Sequence, residues 1–387
     1  MNLKTERLIE WARGRPQPPV TIELIPTDRC NFSCRSCWRQ GVSAGDLQKR
    51  YSEEMSDERL MGLVDEAAEL GVREIALVGG GEPLSREITF ELMMRIRKRG
   101  MDGDIVTNGS LLTEEMMRGL VKSRWTMVKF SIDGSVARIQ DDLRGAKCYN
   151  MVLANIRRLA GLKKAMGSDR PRIGFNTVVS NRNYKDLPNI IEIGRSVGCN
   201  ELHILPLTVF SKEGERLKMD IDQMAEFQGI IRKCLPILRK HEIWSNLERF
   251  LDLRYVEKTG SMHEVLMEEA EKTEIRKRIE RGERLIEDES EDPLENFMTV
   301  PCFEPWSHVT IIGNGNIAAC FNNYVWETKV NIKNHTLKEL WHGEYFDQYR
   351  RQILTRRLPE ACATCCVWRV FEVQAIKKEM EEHAGRR

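Results

Sequence analysis

Residues 20–37 read VTIELIPTDRCNFSCRSC. The opening VTIEL alternates apolar and polar side chains and is rich in β-branched residues, a strand pattern. It runs through a short loop into Cys30, Cys34 and Cys37. Five more β-rich runs follow: REIALV (73–78), GDIVT (103–107), MVKFSI (127–132), IGFNTVV (173–179) and ELHIL (201–205). Helical patterns separate them. MSDERLMGLVDEAAELG offers Ser56 as N-cap and Gly71 as C-cap, and SREITFELMMRIRKRG offers Ser85 and Gly100. LTEEMMRGLVKS, YNMVLANIRRLAGLKK and NYKDLPNIIEIGRSVG complete the set. Six βα units in series predict a parallel sheet, either doubly wound or an incomplete barrel. Both architectures place chemistry at the carboxyl ends of the strands.

Beyond residue 211 the strand signals stop. DQMAEFQGIIRKCLPILRKHEI and HEVLMEEAEKTEIRKRIERGERLI read as long helices, the second as a charged, solvated face. EDESEDP (287–293) is an acidic linker. SHVTII, a GNGN turn and IAAC then predict a β-hairpin, followed by short helices at LKELWHG and EYFDQYRRQIL, a CATCC knot and a last helix. The expected division is 1–19, an N-terminal segment; 20–211, the βα domain; 212–300, a helical insert; and 301–387, a small hairpin and helix domain.

The chain has 387 residues, with 60 Lys and Arg against 59 Asp and Glu, so whole-molecule charge gives no reason to expect nucleic acid. No apolar run approaches the ~20 residues of a membrane span. The N-terminus MNLKTERLIEWARGR has no apolar signal core, and a cytoplasmic protein is expected. Eleven cysteines, an odd number, argue against a disulfide framework. They fall into one knot at 30–37, a second set at Cys302, Cys320, Cys362, Cys365 and Cys366, and three strays, Cys148, Cys199 and Cys234, that read as buried thiols.

Three thiolates on one short loop can wrap one face of a cubane iron–sulfur cluster and leave one iron open to a ligand. A zinc knot completed by a distant residue is the alternative. This C-x₃-C-x₂-C after a first strand resembles the radical S-adenosylmethionine (SAM) superfamily, and other positions agree in order. Gly79-Gly80-Gly81-Glu82-Pro83 follows the second strand and is similar to the family's GGE motif, whose backbone contacts the methionine ammonium of SAM. Thr107 and Asn108 follow the third strand. Ser131 and Asp133 end the fourth, where the resemblance implies contacts to the ribose. Arg144 would pair with the SAM carboxylate, and Asn176 marks the fifth strand. The family often has an aromatic residue just before its third cysteine; here that position is Ser36, and Trp38 follows the cysteine. The implied fold is α/β, a partial (β/α)6 TIM-like barrel.

The C-terminal cysteines extend the resemblance to a SPASM domain, in its shortened "twitch" form. Cys302, Cys320, Cys362 and Cys365, with Cys366 as an alternative to Cys365, would close every corner of one auxiliary [4Fe-4S] cluster. A zinc ribbon suits the same spacing. The resemblance implies that the loop cluster, reduced by a flavodoxin or ferredoxin, binds SAM and cleaves it to methionine and a 5′-deoxyadenosyl radical. The radical takes hydrogen from a substrate, and the auxiliary cluster accepts an electron. About twenty residues precede the first strand. This leaves no room for the peptide-recognition domain of many relatives, so a small molecule, a sugar or a cyclitol, is the leading expectation. A peptide maturase, a lipid-modifying enzyme with a tunnel under the helical insert, and a non-enzymatic metal scaffold are the alternatives. His203 in the sixth strand is a weaker candidate for substrate contact, and Trp244, Phe250 and Tyr255 for a cavity lining, with core packing the blander reading of each.

Overall fold

The computed structural model describes residues 2–251, 277, 281, 293–320, 328, 330–359, 362 and 368–384. Nine strands are formed among them: β1 Thr21–Leu24, β2 Glu74–Leu77, β3 Asp102–Thr107, β4 Met127–Ser131, β5 Arg172–Val179, β6 Glu201–Pro206, β7 Trp244–Ser245, β8 His308–Ile311 and β9 Ile317–Ala318. The first six fall where the hydrophobic runs predict them. Helices Thr89–Lys98, Glu114–Lys122, Ala137–Arg144 with Tyr149–Ala165, Leu187–Ser196 and Ile221–Lys240 follow β2, β3, β4, β5 and β6 in turn. This alternation is the expected α/β class, and the parallel order of β3 to β7 suits a partial barrel.

The chain forms two compact units. One comprises Ile25–Glu54 and Ala76–Leu266. Its strands β3 to β7 lie side by side in chain order, all parallel. Every second residue (Ile105, Val128, Phe130, Ile173, Phe175, Leu202, Ile204) is buried, as are Leu120, Ile156, Leu159 and Ile190 of the helices. The alternate, half-buried positions include the polar Asp104, Lys129, Glu201 and His203 beside Val106, Val178 and Leu205. Lys129 pairs with Asp104 at 3.4 Å and with Glu201, two strands away, at 3.1 Å. It passes over Gly174, where a Cβ would come within 3.1 Å of the lysine Cγ. The next row in register is Ser131, Asn176 and His203.

The other unit comprises Met1–Leu24, Met55–Ile75 and Met267–Arg387. Here β1 pairs in parallel with β8, Thr21 opposite His308 and Leu24 opposite Ile311. The predicted hairpin is present as the antiparallel pair β8 and β9. Leu8, Ile9, Phe297, Val300, Phe303, Trp306, Ile353 and Met380 form its apolar core. Ser56 and Gly71 cap the helix Asp57–Leu70 as predicted, Ser56 accepting from the Arg59 amide and Gly71 taking φ 94°. Ser85 does not start the next helix. That helix begins at Thr89, because Pro83–Ser85 closes a separate 3₁₀ turn. Of the predicted insert, residues 252–276, 278–280 and 282–292 lie outside the described residues.

Candidate active site

The cysteine loop is shaped by its own side chains. Cys30, Cys34 and Cys37 are free thiols, each half-buried. The Phe32 amide donates to Cys30 Sγ at 3.4 Å. The Gln40 side-chain amide donates to Ser33 Oγ at 2.9 Å and to the Cys34 carbonyl at 3.3 Å. Burial pushes the Cys30 and Cys37 thiols up, and neighbouring Cys34 adds to both. Among the described residues no three ligating groups converge on one ion-sized point.

The far side of the loop rests on the end of the helix Ala137–Arg144. The Arg35 amide donates to the Leu143 carbonyl at 3.0 Å, and the Arg35 guanidinium pairs with Asp142 and Glu213 at 2.7 and 3.2 Å. Gly145 ends the helix at φ 62°, with Ser33 O only 2.2 Å from where a Cβ would stand. Glycine at this position is what lets the loop and the helix touch.

Gly79, Gly80 and Gly81 are equally constrained. A Cβ on Gly80 would lie 1.8 Å from Asp28 Oδ1, and one on Gly81 1.9 Å from Arg29 O. The strip therefore lies flat against the residues just before Cys30. Glu82 is 3 % exposed and gathers the loop after β3. It accepts from Thr107 Oγ1 and the Asn108 amide, both at 2.7 Å, and from the Leu84 amide at 3.2 Å. Burial raises its pKa and these donors oppose the rise. So Glu82 and Thr107, expected to contact SAM, spend their side chains on one another and set the backbone of both loops. Asn108 reaches Asn31 of the cysteine loop at 2.9 Å. Trp38, on the other side of the third cysteine from the family's aromatic position, donates its indole N–H to the Gly80 carbonyl at 2.8 Å.

Asp133 and Arg144 are brought together. Arg144 Nη2 lies 2.7 Å from Asp133 Oδ2, and the Val178 amide donates to Asp133 Oδ1 at 2.8 Å. Arg144 Nη1 lies 4.0 Å from Cys34 Sγ. Two atoms in this region are buried without a hydrogen-bond partner among the described residues: Arg144 Nε, a donor, and Asn176 Oδ1, an acceptor. Orphaned polar atoms inside a protein call for a ligand or water. A SAM molecule, rich in both donors and acceptors, fits them.

His203 stands beside Asn176 on β6, edge-on to Trp244 at 5.9 Å between ring centres. Burial, with Lys129 and Arg249 near it, lowers its pKa to about 4. Trp244 is half exposed, whereas Phe250 is buried against Phe227; Tyr255 lies outside the described residues. Cys148, Cys199 and Cys234 are buried, and burial pushes Cys148 and Cys199 to about 12 and Cys234 to about 11, which makes them unreactive.

In the other unit Cys320 and Cys362 both come within electrostatic reach of Cys302. Burial pushes Cys302 up, and Glu304 and the two other thiols add to it. The Glu304 amide donates to Cys302 Sγ at 3.4 Å. Cys365 and Cys366 lie outside the described residues. Among the described residues no helix is long and apolar enough to cross a membrane.

Residues 24–192 match the family model of the Radical SAM superfamily, and residues 302–366 that of an iron–sulfur cluster-binding domain, SPASM. The AdoMet-dependent heme synthase of Methanosarcina barkeri is 31 % identical over 186 residues, covering 48 % of this chain and 50 % of that protein. The PqqA peptide cyclase of Granulibacter bethesdensis is 30 % identical over 192 residues, 49 % of this chain and 47 % of that one. The chain thus spans about half the length of the curated relatives it matches. Two crystal structures of Streptococcus suis SuiB share the fold. The one bound to S-adenosylmethionine has a TM-score of 0.60 at 13 % identity, over 88 % of this chain and 69 % of that one. The one bound to the precursor peptide SuiA has a TM-score of 0.61 at 14 % identity, over 96 % and 76 %.

Proposed function

Because the chain is a member of the radical SAM superfamily with a C-terminal SPASM domain, we propose that it uses SAM to start radical chemistry on a peptide. Its cofactors are a [4Fe-4S] cluster with SAM and auxiliary iron–sulfur, the groups these two domains bind. A reduced cluster bound here would supply the electron for cleavage of SAM to methionine and a 5′-deoxyadenosyl radical, the species able to abstract hydrogen from carbon.

The chain's own residues hold and orient. Cys30, Cys34 and Cys37 carry the cluster. The Gly79–Gly81 strip offers main-chain groups to the methionine end, its flatness enforced by Asp28 and Arg29. Glu82, Thr107 and Asn108 hold that strip in register with the loop after β3. Ser131 and Asn176, adjacent across β4 and β5, face the ribose. Cys302, Cys320, Cys362 and either Cys365 or Cys366 hold one auxiliary cluster. Held there, that cluster would supply an acceptor for the electron left on the substrate, and a flavodoxin- or ferredoxin-type protein would supply the electron that reduces the first cluster.

One observation carries this reading: the loop of three free thiols is packed through Asp28, Arg29 and Trp38 on the glycine strip, and the same compact unit holds an orphaned acceptor, Asn176 Oδ1. The choice of a peptide rests on relatives. The sugar or cyclitol favoured by the sequence has no support among them, whereas a peptide cyclase and a peptide-bound neighbour do support the alternative. The test uses small peptides encoded beside the gene, made with deuterium at carbon. Deuterium appearing in 5′-deoxyadenosine under anaerobic reduction supports the reading. SAM cleavage that proceeds with no deuterium transfer from any of them removes the peptide. No cleavage at all removes the enzyme.

A further inference from the structure

Arg144 has a place in the fold that binding SAM alone does not explain. Its guanidinium is held between an anion and a sulfur: Asp133 Oδ2 at 2.7 Å on one side and Cys34 Sγ at 4.0 Å on the other. Both residues are deeply buried, with side chains 12 % and 6 % exposed. Asp133 is itself fixed by the Val178 amide. Arg144 is the last residue of a helix whose end is locked to the cysteine loop through Arg35 and Gly145. The cation therefore has little freedom to swing away from the sulfur toward a ligand. A fixed positive charge beside a cluster thiolate favours the state with one more electron. Charge near the cluster and hydrogen bonds to its sulfurs are the main protein controls on its potential.

We propose that Arg144, oriented by Asp133, is a positioning residue that raises the reduction potential of the SAM-binding cluster through Cys34. This rests on the assignment of that cluster to Cys30, Cys34 and Cys37. The two halves of the pair have opposite effects. Removing the cation makes the cluster harder to reduce. Removing only the anion leaves the cation uncompensated and makes the cluster easier to reduce.

The experiment is a redox titration of the anaerobic holoenzyme, following the reduced-cluster paramagnetic signal that changes when SAM is added, with iron content and SAM affinity measured alongside. In Arg144→Gln the ratio of reduced to oxidised cluster at a fixed potential should fall at least tenfold, a shift of 59 mV for one electron. Arg144→Lys should recover most of it. Asp133→Asn should shift the potential the other way. Should Arg144→Gln fail to fold, the sign of the shift in Asp133→Asn decides. Unchanged potentials with SAM affinity lowered tenfold or more would overturn the proposal and return Arg144 to the SAM carboxylate. Loss of the SAM-responsive signal from the wild-type protein itself would mean that the cluster assignment, and not the role of Arg144, is wrong.

Discussion

Cys30, Cys34 and Cys37 sit on a loop and fill no apolar core, so an alanine at any of them removes a ligand without opening a cavity. Each single Ala variant should lose 5′-deoxyadenosine formation with dithionite while its unfolding midpoint stays close to that of the wild-type protein. Wild-type yield from one of them would take that residue out of the site. His203 makes a prediction about stability. Its pKa falls from the ordinary 6.5 to about 4 through burial first, then Lys129 and Arg249. The folded state thus holds fewer protons than the unfolded chain between those values. Stability is intact above pH 6.5 and drains as pH falls toward 4, by about 3 kcal/mol at most for this one group. His203→Gln should flatten that part of a stability-against-pH curve. An unaltered slope would mean the ring is more hydrated than its surroundings suggest.

At the level of elements, the contact between the cysteine loop and the helix Ala137–Arg144 depends on Gly145. Gly145→Ala places a methyl at φ 62°, 2.2 Å from Ser33 O. The backbone strain alone costs about 1–2 kcal/mol, and the clash adds to it. The variant should take up less iron at the first site, and the auxiliary iron should be unaffected; full iron in both would show that the loop can move aside. The six strands and their helices were legible because buried parallel strands are apolar runs and helices carry a 3.6-residue period. The cysteine spacing also singled out the loop whose neighbours the fold then supplies. What the sequence hid are pairings between distant residues: Glu82 with Thr107 and Asn108, Trp38 with the Gly80 carbonyl, and Arg144 with Asp133. The resemblance implied Arg144 as a partner for an anion, yet only the fold could decide that Asp133 reaches it first. The helix expected from Ser85 failed for a similar reason, since the Ser85 hydroxyl is drawn instead to the Arg29 carbonyl at 2.9 Å.

For the whole molecule, ligand counting gives two cubanes and about eight iron atoms. A chain lacking Cys30, Cys34 and Cys37 should keep about four iron atoms whose spectrum ignores SAM. Zinc there instead would turn the C-terminal module into a structural ribbon and remove its electron-accepting role. Single Ala variants of Cys365 and Cys366 should separate the ligand from the spare, because only loss of the ligand lowers the iron count. The pairing of β1 with β8 has a further consequence. The strand that leads into the cysteine loop is made first, yet its parallel partner emerges from the ribosome only when most of the chain has been synthesised. Such a distant pairing is slow to form and cannot be completed on a nascent chain that is still short. The loop therefore stays tethered to a strand paired along one edge only, with β2, through most of translation, so durable iron capture should be a late, post-translational event, and stalled chains ending before residue 308 should release their iron more readily to a chelator than the full chain does.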